Sequence, residues 1–320
     1  GCLVGSEMCI RDRFNTAIGT QSLDANTTAS NNSAFGAGTL GANTTGADNT
    51  AVGRYALGGN TTADLNTAIG YASMQANTTG AGNVAIGAYA LDANTTANYN
   101  TAIGYQALTT SDTATGNVAL GFQAMQDNTT GANNVACGYQ ALHNNTTAGY
   151  NSAVGQNALA TNTTGQYQTA MGQGALYASN ADHNSAFGVS ALSACTTGVH
   201  NTAMGRNAAS ALTTGTNNIS IGNYTMNGTV TGASNIAVGY AALNALSTGS
   251  NNVAVGRDAL IAVTSHGSCT AVGHKAARAN IANGTTAVGY QALISNTTAT
   301  GNTAVGSESL TANTTGGRNV

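Results

Sequence analysis

Apolar and polar residues recur with a fixed beat along almost the whole chain. A glycine preceded by an apolar residue, usually with Ala before that, marks each beat. It falls at Gly19, Gly36, Gly53, Gly70, Gly87, Gly104, Gly121, Gly138, Gly155, Gly172, Gly188, Gly205, Gly222, Gly239, Gly256, Gly273, Gly289 and Gly306, eighteen marks in all. The spacing is 17 residues except at Gly172 to Gly188 and Gly273 to Gly289, where it is 16. A fixed period of this length signals stacked coils. Both short coils lack the Asn-Thr-Thr triplet that most others carry. The missing residue is therefore assigned to a turn, where deletions are tolerated.

Two short strands are predicted per coil. The first is the Asn-Thr/Val-Ala-Ile/Val segment, as in Asn83 to Ile86. Alternation places Val84 and Ile86 on one face and Ala85 on the other. The position before the marker glycine is apolar in all eighteen coils, from Ile18 and Phe35 through Cys137 to Val305. The second is the run ending in Ala-Leu, whose last residue is Leu or Met in sixteen coils, with Ala209 and Ala277 as exceptions. These two apolar positions are expected to stack as the core. No 3.6-residue stripe survives a whole coil, and β-branched residues, Asn and Gly fill every segment, which argues against helix. The prediction is an all-β chain, a β-solenoid of about eighteen coils with a 17-residue period. With coils ~4.8 Å apart it would form a rod roughly 80 Å long.

The turns have their own chemistry. The marker glycine permits a positive φ or a close backbone approach. Asn stands four residues before it in fifteen coils, replaced by Gln168, Cys269 and Thr285 in the others. Stacked identical amides can hydrogen-bond along the axis. The Asn-Thr-Thr triplet occurs ten times, beginning at Asn26, Asn43, Asn60, Asn77, Asn94, Asn128, Asn145, Asn162, Asn296 and Asn313. Asn and Thr favour turns by bonding their own backbone. The triplet also matches the N-glycosylation acceptor, but turn geometry explains its spacing and no modification is expected. The strand Ala is kept in seventeen coils, with Ser220 the exception. Two readings stand side by side. It either packs against a second chain, which makes Ala85, Ala102, Ala119, Ala136 and Ala153 inter-chain candidates, or fits a narrow corner of its own coil.

Composition narrows the functional classes. Only 6% of the 320 residues are charged, and there is no Pro or Trp. Ordinary soluble proteins carry about 25% charged residues. So few large apolar side chains make a thin, repeated core, and buried surface between chains would help to stabilise it. A net charge of −3 offers no footprint for nucleic acid or anionic lipid. No apolar run approaches the ~20 residues that span a bilayer, so no membrane insertion is expected. Cys2, Cys9, Cys137, Cys195 and Cys269 share no spacing, which suggests neither a disulfide framework nor a zinc site.

Residues 1–13, GCLVGSEMCIRDR, do not fit the repeat and hold Glu7, Arg11, Asp12 and Arg13. This leader resembles a translated sequencing-adapter artefact; the alternative is a native cap. Its apolar stretch is too short for a signal peptide. Residues 14–320 are read as one repeat domain. The chain opens without Met and closes on Asn319-Val320, the start of a nineteenth coil, so a fragment truncated at both ends is expected.

The units Asn83-Val84-Ala85-Ile86-Gly87, Asn235-Ile236-Ala237-Val238-Gly239 and Asn252-Val253-Ala254-Val255-Gly256 resemble the head repeat of YadA-like trimeric autotransporter adhesins. The resemblance covers about residues 14–320. It implies a left-handed parallel β-roll, a side-by-side homotrimer and an adhesive role at the bacterial cell surface. The 17-residue coil is longer than that family's usual repeat. Its extra turn looks like repeat regions of bacterial surface proteins and phage tail fibres, which often precede a chaperone domain. No coiled-coil stalk, anchor barrel or chaperone domain is recognisable, so a bacterial surface and a virion both stay open.

The sequence offers no catalytic constellation, and the chain is not expected to be an enzyme or to hold a cofactor or metal. Its repeat acids are scattered, and Asp24 and Asp92 share a turn position four coils apart. GxG patterns such as Gly36-Ala37-Gly38 lack a strand-to-helix context for phosphate. His183 and His200 fall at equivalent positions in neighbouring coils, an incomplete metal site better read as solvated turn residues. Tyr105, Phe122 and Tyr139 follow the marker glycine in three consecutive coils, each followed by Gln106, Gln123 or Gln140. Such a ladder suits sugar rings or a partner chain. The expected function is an adhesive rod that binds a host receptor, extracellular matrix or glycan through many weak contacts. A passive tail-fibre spacer and an ice-binding Thr ladder are the alternatives.

Overall fold

The structure, a computed structural model, describes residues 14–320. The leader reading for residues 1–13 lies outside the described residues. Two compact units divide the chain at Thr164 and Gly165. The first carries nine strands of three residues, β1 (Thr16–Ile18) to β9 (Ser152–Val154). The second carries nine more, β10 (Thr169–Met171) to β18 (Thr303–Val305). Within each unit every strand pairs in parallel with the strand one coil away. Among the described residues there is no helix. The fold is an all-β solenoid with a 17-residue period.

Coil positions are counted here from the strand-leading Asn as 1, which puts the marker glycine at 5, the Leu at 9 and the triplet Asn at 12. Register is strict: Ala34 pairs with Ala51, and Ala51 with Ala68. The 16-residue coils keep it, with Ala170 opposite Ala186 and Ala271 opposite Ala287. The deletion falls in the turn, as the sequence predicts. Asn280 Nδ2 reaches the Ala282 carbonyl two residues on, where Asn60 reaches Ala63 three residues on.

The strand faces are the reverse of the expected ones. The Ala at position 3 is buried from the second coil on, whereas the large apolar residue at position 4 faces outward: Ile69 keeps 38% of its surface and Leu120 44%. The position before the marker glycine is therefore not core. The cause is dimensional. A turn of 17 residues encloses a space that takes one methyl from each strand plus one Leu, and a second branched side chain per coil would overfill it.

The Ala-Leu run is also not a strand. Positions 7 and 9 are left-handed, as at Gln106 (φ 52°) and Leu108 (φ 53°), and residue 9 has φ between 44° and 54° in every coil. Alternate left-handed residues roll the chain into a turn. Ala107 N donates to the Gly104 carbonyl at 3.3 Å, and Leu108 N reaches the next coil at the Ala124 carbonyl, 3.0 Å away. The left-handed region costs an L-residue about 1–2 kcal/mol. Full burial of the Leu at position 9 offsets it, at about 1.5–3 kcal/mol per side chain.

The marker glycine behaves as predicted, with φ from 123° to 141°. A Cβ on Gly121 would lie 2.5 Å from the Gly138 carbonyl oxygen of the next coil.

Candidate functional surfaces

Two buried amide ladders hold the coils together and set what each coil can present. Asn49 N donates to Asn32 Oδ1 at 3.0 Å, and Asn66 N to Asn49 Oδ1 at 3.0 Å. Asn49 Nδ2 crosses the coil to the Ala63 carbonyl at 2.9 Å. The second ladder is built from the triplets. Asn60 Nδ2 donates to Asn43 Oδ1 at 2.8 Å and to the same Ala63 carbonyl at 3.0 Å. One buried carbonyl thus takes two amide donors, which matches its two lone pairs. The first Thr of the triplet continues the pattern outside, with Thr44 Oγ1 donating to the Thr61 carbonyl at 3.0 Å.

The ladders explain two cysteines. Cys195 replaces the triplet Asn and donates from Sγ to the Gly198 carbonyl at 3.3 Å. Cys269 replaces the strand-leading Asn and donates to the Ala282 carbonyl at 3.1 Å. Both are buried thiols. Burial pushes the Cys195 thiol up to about 11 and raises Cys269 as well. In three coils the triplet Asn gives way to buried Leu212, Leu246 and Val263, and in the coil between the first two of these position 12 is the exposed Thr229 and the buried residue is Val230, one place later. There the amide ladder becomes an apolar one.

The five candidate inter-chain alanines, Ala85, Ala102, Ala119, Ala136 and Ala153, have no exposed surface within a single chain. They cannot touch a second chain, and that expectation is corrected. The alternative reading, a narrow site within the coil, describes them. The residues that do face outward from the strands are positions 2 and 4, a Thr/Val ladder beside an Ile/Val ladder. Cys137 lies in the second of these and is partly exposed.

Beside that face runs an aromatic strip. Tyr105 and Phe122 stack with ring centres 5.5 Å apart, and Phe122 and Tyr139 at 5.3 Å with only 5° between planes. The three rings keep 44%, 41% and 47% of their surface. Gln123 Nε2 donates to Gln106 Oε1 at 3.0 Å, and Gln140 Nε2 to Gln123 Oε1 at 2.9 Å. The strip is longer than the sequence indicated. Tyr71 and Tyr89 meet edge to face at 5.3 Å, and Tyr89 meets Tyr105 at 6.3 Å. Tyr89 sits one residue later in its coil, so a search at a single position passes over it. Desolvation, then Tyr71, raises its phenol. Desolvation also raises the neighbouring Asp92 carboxyl.

His183 and His200 stack face to face at 5.0 Å, with Tyr167 against His183 at 5.1 Å. Parallel imidazoles at this spacing form an aromatic stack, not a chelating pair, and among the described residues no three His, Cys, Asp or Glu gather.

Together these features define a β-solenoid repeat protein with a ladder-filled interior and exposed apolar and aromatic residues. No family model, curated protein or solved structure matches the chain.

Proposed function

We propose that this chain is an adhesive structural rod, a left-handed roll that works as a side-by-side homotrimer and is presented outside the cell, on a bacterial surface or a virion. The outward ladder at position 4 carries the reading. It repeats an outward-facing Ile, Val, Leu, Met or Phe in every coil but one, where Cys137 stands, in register and without a charge. A continuous apolar stripe of this kind marks an interaction face. A second and third copy set parallel and in register would cover it, coil against coil. The aromatic strip flanks this stripe and keeps its ring edges exposed. It is the surface offered to a receptor, matrix protein or glycan, with avidity supplied by repetition.

Light scattering at micromolar concentration should give three times the 31.5 kDa chain mass. Cys137 reports on the contact face. In a chain with Cys2 and Cys9 changed to Ser, mild oxidation should join two chains through Cys137. Leu120→Asp should return the protein to monomer. A stable wild-type monomer overturns the oligomer reading. Adhesion that stays unchanged after several coils are deleted overturns the adhesive one.

A further inference from the structure

A cleft of about 450 Å³ opens across the first four coils. Its origin is a local departure from the repeat. Position 10 carries a side chain in every coil except two consecutive ones, which have Gly41 and Gly58. Asp24 and Gln75 stand at the same position in the flanking coils and close the two ends. Neither glycine is required by the backbone, because neither has a positive φ. A Cβ on Gly41 would lie 3.3 Å from its nearest neighbour, the Gln21 carbonyl, and one on Gly58 3.2 Å from the Tyr55 carbonyl. The equivalent residues of other coils accommodate a Cβ there. These glycines make room rather than a bend.

The wall of the cleft is prepared as well. Gly38 has φ +67°, and a Cβ there would fall 2.6 Å from the Tyr55 ring. Its absence lets that ring lie across the preceding coil. Arg54 also holds the ring, with its guanidinium carbon 4.6 Å from the ring centre and Nη2 donating to the Tyr55 hydroxyl at 3.0 Å. Gln21 completes the polar rim.

We propose that this cleft is a binding subsite for one or two units of a neutral saccharide. The volume lies within the roughly 300–1,000 Å³ usual for small-ligand sites. The fixed Tyr55 ring offers apolar area to the C–H face of a pyranose. The Asp24 carboxylate accepts hydroxyl protons, and the Gln21 and Gln75 amides both donate and accept. That set suits a ligand rich in hydroxyls. Asp24 disfavours an anion, and the polar rim disfavours a purely apolar molecule. The proposal names a ligand class for the adhesive reading and rests on that reading for its biological use.

Saturation-transfer NMR on the whole chain tests it, with methyl glycosides of glucose, galactose, mannose and N-acetylglucosamine, and with lactose, at millimolar concentration. At least one should show transfer. Gly58→Gln should reduce it at least five-fold by filling the cleft. The repeat tolerates that residue, since Gln75 and Gln126 occupy the same position. Asp24→Ala, a change at an exposed side chain, should also reduce transfer and serves if Gly58→Gln does not fold. Asp127→Ala, the same kind of change in a coil outside the cleft, should leave it unchanged. No transfer from any of the five ligands overturns the proposal, as does transfer that survives Gly58→Gln or Asp24→Ala. Transfer lost only in Phe122→Ala would overturn the cleft and leave the adhesive reading standing. Cleft binding with length-independent adhesion would sink the adhesive reading and keep the cleft.

Discussion

Ser111 interrupts the triplet ladder, and changing it to Asn should stabilise the protein. From Asn43 to Asn94 the ladder is continuous: Asn60 Nδ2 donates to Asn43 Oδ1 at 2.8 Å, Asn77 Nδ2 to Asn60 Oδ1 at 2.9 Å, and Asn94 Nδ2 to Asn77 Oδ1 at 2.7 Å. The next rung should come from residue 111. The Ser hydroxyl does not reach it, so Asn94 Oδ1 and Ser111 Oγ are both buried without a partner. A buried unsatisfied polar atom costs about 1–3 kcal/mol. Ser111→Asn would supply one Nδ2 donor to Asn94 Oδ1 and a second to the Ala114 carbonyl, which now receives Asn100 Nδ2 alone at 2.8 Å. Ordering the longer side chain takes back part of the gain. The net gain should be about 1–3 kcal/mol.

A stack of coils need not unfold in one step, because each coil leans mainly on its neighbours. The assay should therefore be local. Native-state hydrogen exchange at the amides of Asn77, Asn94 and Asn128 should slow by about ten-fold or more in Ser111→Asn, since 1.4 kcal/mol is a factor of ten. Asn77→Ser, which creates the same gap one coil from Asn94, should speed exchange by a similar factor. If Ser111→Asn is neutral and Asn77→Ser costs nothing, the amide ladder is not what joins the coils.

Two further outcomes follow from the same geometry. Gly121→Ala puts a methyl 2.5 Å from the Gly138 oxygen at φ +138° and should cost about 3 kcal/mol or more, read as protease cleavage near residue 121. Cys195 is neutral when folded up to about pH 11, whereas its unfolded thiol ionises near 9. A folded value raised in this way leaves stability intact below pH 9 and removes it as pH climbs from 9 to 11, by about 2 kcal/mol. Denaturant titration of wild type against Cys195→Asn across that window should show the loss in the first chain only. In the Leu120→Asp chain, where the contact face is open, a thiol-specific reagent at pH 8 should modify Cys137 and spare Cys195.

The period, the first strand of each coil, the turn deletions and the marker glycines were legible in the sequence, because each repeats with one residue type, whereas the second strand read from the Ala-Leu run was not there. Direction was not. Alternation separates Ala85 from Val84 and Ile86 but does not say which side is inside. Hydrophobicity alone places Ile86 inside, and only the girth of a 17-residue coil reverses that choice. The left-handed residue 9 was hidden because Leu is not a residue that normally marks a positive φ. Pair effects within one coil were hidden too. Ser220, the single departure from Ala at position 3, hydrogen-bonds Thr225, where most coils carry Ala. The two substitutions look unrelated in the sequence and are one interaction in the fold. The Gly41–Gly58 gap was masked by the abundance of glycine, 42 in the chain. It stands out only once turn glycines are separated from those with ordinary φ.

The inverted strand also changes where an oligomer would form. With Ala outside, three chains could have approached closely along a smooth face. With Ala inside, that route is closed, and the contact moves to the branched side chains at position 4. Those chains are half-exposed in the single molecule, so covering them gains apolar burial at every coil. The same coil gains nothing from placing them inward, where the Leu at position 9 and the two amide ladders already fill the space. Each coil thus trades a larger core of its own for a sticky outer edge, and the trade is repeated in every coil. Asp, Glu, Lys and Arg are absent from positions 2 and 4 throughout the described residues. Residues that protect an unpartnered edge from association are missing from the place where they would be needed. An assembly in register, with position 4 at its centre, is the arrangement that this distribution of side chains supports best.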